Sequence, residues 1–569
     1  KEAGAQREHQ EGCGGGVSHR RSQLMAPPTL LTYTIRRLSS RATFILGALM
    51  KRHGLLAAAV ALVLARPGPG WAGGEEERGK PPGGRMKVLP LSAREAVNLS
   101  LNHNLDIEVA RYQPWIEEQN VFSALGTWDH VAYANVKEER QSQPGTSFLS
   151  GASRLRTDTT SATLGIRHTL PSGASYDLSF STSRMDTNNS FMLFNPIWSD
   201  TGGGTVTVPL LKGGSTEANT STLVIARHTR DISVDSFEKS LSDSVFATMQ
   251  AYWDLVFAVE HRKVKEQSLE VAQRLLDDNR RKLDRGVVAR IDVTQADAGV
   301  AAQQEGILTA EASVQLAMDS LKRLIDPSLL RQEAVLQPVE TPHGFEAEID
   351  ERAETERAFK EALTRRPELR QISRQLAMQD VQIAKSTNDL LPQVDLTAGA
   401  YLNGAESTFP QAGNDLRSRD FHDLSAGIAV TWALEGSAAR GSLNRAELEK
   451  RRLSLRQRNV ENQVLVEVRD AVRQVKTNEK RIEACRRARV LAEEQLDGEM
   501  NRREQGLSTT YRVLDVQQQL AQARTNEVKA LIDYNLSLHR VHLATGELLE
   551  KNGILLQENL QPRLGGERK

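Results

Sequence analysis

Cysteine is nearly missing from this chain, with two in 569 residues. That excludes a disulfide-stapled scaffold and any zinc or iron–sulfur site built on cysteine. An excess of one charge is missing too. With 73 Lys and Arg against 73 Asp and Glu, neither a polybasic nucleic-acid binder nor an acidic disordered tail is expected. Long apolar runs are also absent. Mean hydropathy is −0.45, and the clearest apolar run, Leu55 to Ala65, has eleven residues, against the ~20 that a membrane-spanning helix needs. Such a chain crosses a bilayer only as β-strands. No phosphate-binding glycine loop, G-x-S-x-G elbow or H-E-x-x-H pair is present, so no covalent chemistry, cofactor or metal is expected.

What is there begins with an export signal. Met50, Lys51, Arg52 and His53 give a basic start, Leu55–Ala65 an apolar middle, and Pro67 to Ala72 a helix-breaking stretch ending in small residues. The pattern predicts a signal peptide over 50–72, with cleavage after Ala72, an upstream extension outside the fold over 1–49, and a flexible linker over 73–90. A short anchor helix is the alternative.

Beyond the linker, the chain is written twice. At an offset of 220, Gly286 falls on Gly506, Val293 on Val513 and Leu316 on Leu536. Earlier in each half, Glu95-Ala96 before Asn104-Leu105 matches Glu361-Ala362 before Glu368-Leu369, at an offset of about 264. The first half therefore carries roughly forty extra residues between its first helix and its long helix. The repeats are placed at 91–326 and 353–549. A proline-bearing connector occupies 327–352, and a tail 550–569.

Each half holds a rod. Asn219 to Arg285 contains no proline or glycine. Leu241, Val245, Thr248, Tyr252, Leu255 and Val259 step by fours and threes, which is a coiled-coil seam. Val464, Val468, Ala471, Val475, Ile482 and Cys485 repeat it. Long helices are predicted over 216–285 and 438–505, tips at 286–290 and 506–510, and return helices over 291–326 and 511–546. Cys485 falls on the seam and reads as a small core residue. His539 and His542 read as ordinary helix-surface residues, since nothing completes a metal site around them.

Other segments alternate with period two. Val394, Leu396, Ala398 and Ala400 share one face, and Leu424, Ala426, Ile428, Val430 and Trp432 another. The first half offers Val131 and Tyr133; Ala162, Leu164, Ile166 and His168; Tyr176, Leu178 and Phe180; and Val206, Val208 and Leu210. Apolar side chains backed by small polar ones suit an outer-membrane β-barrel. The extra forty residues then supply two more strands, giving four within 129–211 and two at 393–403 and 423–433. Leu170 to Gly173 reads as a tight turn, and Arg140–Thr157 and Met185–Gly204 as long polar loops. The alternative is two strands per half, with 158–184 folded as a surface or lumen hairpin.

The motifs, in order, are Asn104-Leu105, Val208-Pro209-Leu210-Leu211-Lys212-Gly213-Gly214 before a long helix, Arg285-Gly286-Val287-Val288-Ala289-Arg290-Ile291-Asp292-Val293, Pro367-Glu368-Leu369, Leu390-Leu391-Pro392, and Gln505-Gly506 through Leu514-Asp515. From about Leu91 to Leu549 the chain resembles the TolC-like outer membrane efflux proteins. One departure is Trp128-Asp129, where the first half lacks the Leu-Pro of the second. The resemblance implies an α+β membrane protein: a homotrimer whose duplicated long helices form a periplasmic α-barrel below a shared β-barrel, of 18 strands with six per chain or 12 with four.

It further implies a passive exit duct in outer-membrane lipid. Such ducts serve tripartite pumps or type I secretion, docking on a periplasmic adaptor linked to an inner-membrane transporter of the RND or ABC class. Adaptor docking would fall on Gly286, Val287, Val288, Arg290, Gly506, Leu507, Ser508 and Thr509. Carried over residue by residue, Asp515 takes an acidic gate position, Arg512 stands where a second acid is expected, and Asp292 matches the acid of the first turn. The competing class is a periplasmic coiled-coil scaffold without a pore, which has no use for lipid-facing strands.

Overall fold

The computed structural model describes residues 88–145, 151–332, 334–342, 344 and 350–556. The upstream extension, the signal peptide, most of the linker and all but the first residues of the tail lie outside the described residues.

Two rods dominate. After a one-turn helix at Thr216–Asn219, α3 runs Ser221–Asp284 and returns as α4, Arg290–Ile325. Helix α8, Ser437–Glu504, returns as α9, Thr510–Thr545. With 64 and 68 residues, each outgoing helix is on the order of 100 Å long. The stepped residues face inward: Leu241, Val245, Thr248, Tyr252 and Leu255 of α3 are fully buried, as are Val464, Val468 and Val475 of α8. Cys485 is half-buried against the Val475, Ile482, Ala530 and Tyr534 cluster.

Shorter helices open each repeat: α1, Ala93–His103, and α2, Leu105–Leu125, in the first, and α5, Glu351–Arg365, and α6, Pro367–Asn388, in the second. Ser92 and Glu95 form a reciprocal capping box for α1. Helices α3 and α6 are held together by charge. Asp235, whose side chain is 4% exposed, lies 3.1 Å from Arg370 Nε and 2.9 Å from Arg374 Nε, and Arg370 also reaches Glu238.

Two expectations about the connections are corrected. The linker was expected to be flexible through residue 90, and no strand was expected in the proline-bearing connector. Instead β1, Val88–Leu91, pairs in parallel with β6, Val335–Pro338. The Tyr252 hydroxyl locks this pair to α3, donating to the Leu91 carbonyl at 3.2 Å and accepting from the Glu340 N–H at 3.3 Å. The pair ties the start of the first repeat to the start of the second.

The remaining strands form one antiparallel sheet in the order β2-β3-β4-β5-β7-β8: Val131–Pro144, Arg154–Thr169, Ser175–Thr187, Ile197–Pro209, Gln393–Glu406 and His422–Thr431. Directly paired residues share a face. Ala134, Leu164, Phe180, Gly202 and Leu402 follow one another across the sheet, and so do Tyr176, Val206, Ala398 and Ala426. This face is apolar and open: Leu164, Ile166, Leu178, Val206, Leu424, Ile428 and Val430 are all exposed. The opposite face carries Asn135, Thr163, Ser181, Thr201 and Asn403, linked in part by a hydrogen bond between the Thr163 and Ser181 hydroxyls and one from Thr201 to Asn403.

The first strand corrects the sequence reading. Tyr133 pairs with Gly165 on the polar face, and its hydroxyl donates to Asp177 at 2.8 Å. The apolar positions of β2 are Ala132, Ala134 and Val136. The stretches Arg140–Thr157 and Met185–Gly204, expected as long loops, are strand at their ends, over 140–144, 154–157, 185–187 and 197–204. Glu138, Arg140, Arg156 and Asp158 continue the ladder past the apolar band, so the sheet projects beyond the layer its apolar face can occupy. An unforeseen helix, α7, Phe409–Ser418, joins β7 to β8 at this far end.

The histidines of α9 are corrected as well. His539 and His542 are not surface residues but half-buried, and burial lowers the pKa of both. His261 on α3 is lowered by burial and by Lys265. A base whose pKa falls on folding binds fewer protons folded than unfolded, so stability rises with pH and drains away as pH falls through about 6.5. The helical melting temperature is therefore expected to be lower at pH 5.5 than at pH 7.5. His539→Gln should shrink that difference, as thermal circular dichroism at the two pH values would show. An unchanged difference would contradict the assignment.

Candidate functional site

The two helix reversals are built alike. In the first, Gly286 adopts φ +71°. Its N–H donates to the Leu283 carbonyl at 2.8 Å, and the Val287 N–H to the Lys282 carbonyl at 2.9 Å. In the second, Gly506 adopts φ +79°, and the bonds run from Gly506 to Arg503 at 3.0 Å and from Leu507 to Arg502 at 2.8 Å. Both are Schellman caps, which need a left-handed residue at this position, and glycine takes that conformation without a side-chain clash.

The cap turns an apolar side chain outward just after each glycine. Val287 is 70% exposed and Leu507 74%, with Ile291 and Tyr511 also exposed one turn on. Four large side chains, Val287, Ile291, Leu507 and Tyr511, are therefore exposed around the two tips. Arg290 is exposed at the start of α4, while Val288 is half-buried. Ser508 and Thr509 are tied into the turn itself. Ser508 donates to Glu499, and the Thr509 hydroxyl caps α9 by accepting the Arg512 N–H at 3.4 Å.

Above the tips the two hairpins meet through residues the sequence reading did not single out. Asn279 on α3 is fully buried. Its Nδ2 donates to the Asp292 carbonyl at 3.2 Å and to Thr510 Oγ1 at 3.4 Å, while its Oδ1 accepts from Arg503. Thr510 Oγ1 donates in turn to Asp292 Oδ1 at 3.3 Å. The Arg503 guanidinium is 12% exposed and 3.7 Å from Asp278. Burial pulls its pKa below the ordinary arginine value, opposed by Asp278 and Asp292. Of the three gate candidates, Asp292 belongs to this knot. Residues 224 positions apart meet in it, which no local pattern announces.

The other two candidates lie on the open side of α9. Arg512 Nη1 is 3.3 Å from Asp515 Oδ2, and Gln519 Nε2 donates to the same oxygen at 3.1 Å. The pair is one helical turn apart and well exposed. Asp515 is thus neutralised within its own chain. Among the described residues no group of three or more His, Cys, Asp or Glu side chains is placed to hold a metal, and no helix is long and apolar enough to cross a membrane.

A family model described as outer membrane efflux protein matches residues 173–325 and 358–547. Among solved structures, the Campylobacter jejuni CmeC outer membrane channel is similar with a TM-score of 0.60 at 15% identity, over 82% of this chain and 89% of that one. The outer membrane protein VceC of Vibrio cholerae gives 0.58 at 16%, over 80% and 96%. The open state of the Neisseria gonorrhoeae MtrE outer membrane channel gives 0.54 at 14%, over 80% and 89%. No curated protein matches the chain by sequence.

Proposed function

This chain belongs to the outer membrane efflux protein family, and from that premise we propose that three copies form the outer-membrane exit duct of a tripartite pump. One observation carries the reading: an open six-stranded sheet, apolar on one face and polar on the other, stands on rods of about 100 Å. A single copy leaves β2 and β8 as long unpaired edges, which folded proteins avoid. Three copies joined edge to edge close an 18-strand barrel, with the apolar face toward lipid and the serine- and threonine-rich face toward the lumen. The stripe Leu105, Val109, Tyr112 and Ile116 on α2 is exposed in the single chain and supports packing of neighbouring protomers.

The tips then hang at the periplasmic end. Val287, Leu507, Ile291 and Tyr511, with Arg290 beside them, form the face that docks on a periplasmic adaptor, which couples the duct to an inner-membrane transporter. The duct itself is passive. A helical tunnel lined by charged and polar side chains needs no catalytic residue to pass a cargo driven from below.

Near the tips Arg512 and Asp515 face the narrowing channel as three neutral pairs rather than as a bare acidic ring. Such an aperture has weak charge preference. Arg512→Asp would place like charges around the axis. It is expected to make the channel cation-selective and blockable by multivalent cations, read as a shifted reversal potential in planar bilayers under a salt gradient. Wild-type protein that forms no channel in the same bilayers would defeat the duct reading. An unchanged reversal potential in the variant would remove the pair from the aperture.

A further inference from the structure

Above the apolar band the sheet carries a buried acid that export does not use. Asp200 on β5 is 1% exposed. Thr182 Oγ1 donates to its Oδ1 at 2.6 Å, while Oδ2 is buried without a hydrogen-bond partner. Helix α7 covers it. Gly404 pairs directly with Asp200 across β5 and β7, and its missing side chain lets α7 down onto the sheet. A Cβ on Gly404 would lie 2.1 Å from the Ala412 carbonyl oxygen and 3.0 Å from the Asp415 Cβ.

The Asp415 Cβ thus lies beside the place that a side chain opposite Asp200 would take. A Cβ on Gly413 would lie 4.0 Å from Asp200 Oδ2, so that oxygen faces the helix. Trp198 packs edge-on against Phe409 with centroids 5.6 Å apart, fixing the first turn of α7 over the gap. The Asp200 oxygen that faces the helix is cut off from water. The nearby cation Arg184 is already paired with Asp186 at 3.3 Å. A buried carboxyl either takes up a proton or is met by a positive charge.

We propose that Asp200, Asp415 and the Thr182 hydroxyl bind a hard divalent cation, calcium or magnesium, which pins α7 to the rim of the sheet. An all-oxygen donor set with two carboxylates suits these ions and not the softer transition metals. The site is separate from the tips and the aperture, so its failure would leave the export reading untouched.

The test uses the full chain purified in detergent and stripped with EDTA. Terbium titration with tryptophan excitation, for which Trp198 is the adjacent donor, is expected to give saturable luminescence that calcium reverses. Asp415→Asn, at a half-buried position on α7, should weaken terbium binding at least about tenfold with an unchanged circular dichroism spectrum, and Asp200→Asn should do the same. Calcium should also slow tryptic cleavage after Arg417 and Arg419 several-fold in the wild type and not in Asp415→Asn. Luminescence in Asp415→Asn equal to that of the wild type, or cleavage indifferent to calcium, would overturn the proposal; either result holds even if Asp200→Asn fails to fold.

Discussion

Val287→Asp combined with Leu507→Asp is expected to abolish export while leaving the protein folded and in the outer membrane. Both side chains are more than two-thirds exposed and follow glycine caps whose Schellman hydrogen bonds are made by backbone. Surface replacements of this kind change stability by about 0.5 kcal/mol or less. Their cost falls on what docks there. An apolar tip buried against a partner contributes roughly 25 cal/mol per Å², and a carboxylate buried in its place is strongly unfavourable. In the proposed trimer the loss is repeated in three copies. Co-purification of the periplasmic adaptor is therefore expected to fall at least about tenfold, and cargo export to that of a strain lacking the protein. The amount of protein in outer-membrane fractions should not change. Undiminished adaptor recovery would remove the docking role from the tips.

Arg503→Met is expected to have the second-largest effect, in the opposite direction, by loosening the contact between the two hairpins near the tips. The Arg503 side chain sits between Asn279 and Asp278 of α3 at the point where the two hairpins of one chain meet. Removing one partner of a buried charged contact costs about 3–5 kcal/mol, concentrated near the tips. Single-channel conductance is expected to rise several-fold. Arg503→Lys, which keeps the charge and loses the planar fork, should fall between. Arg512→Met serves as the comparison. Its pair with Asp515 is solvent-exposed, worth about 1 kcal/mol or less, and its loss should alter selectivity more than conductance. Equal conductance in wild type and Arg503→Met would show that the knot does not hold the aperture.

Much of this architecture is legible in the residues because long rods and alternating strands are local patterns. A stretch of 67 residues without proline or glycine, seamed at Leu241, Val245, Tyr252 and Leu255, has few alternatives to a helix. The caps were readable for the same reason, since Gly286 and Gly506 stand alone between helical runs. Tyr133 was misread because β2 has a weak pattern: only its pairing with Gly165 shows that the ring lies on the polar face. The strand ends past Val136 were taken for loops because charged residues mark solvent, and here the ladder simply continues into it. The β1–β6 pair, the Arg503 knot and the gap beneath α7 rest on contacts between residues far apart in the chain. His539 and His542 looked exposed because helical spacing alone does not say which neighbouring helix will cover them.

The claim on which the account depends is that several copies of this chain enclose one continuous channel. Electron cryomicroscopy of the protein extracted from outer membranes tests it most directly. The account requires a three-fold particle with an 18-strand barrel continuous with a hollow helical tube, β8 of each chain hydrogen-bonded to β2 of the next. A particle with one chain, or with rods packed into a solid bundle and β2 and β8 unpaired, would contradict it.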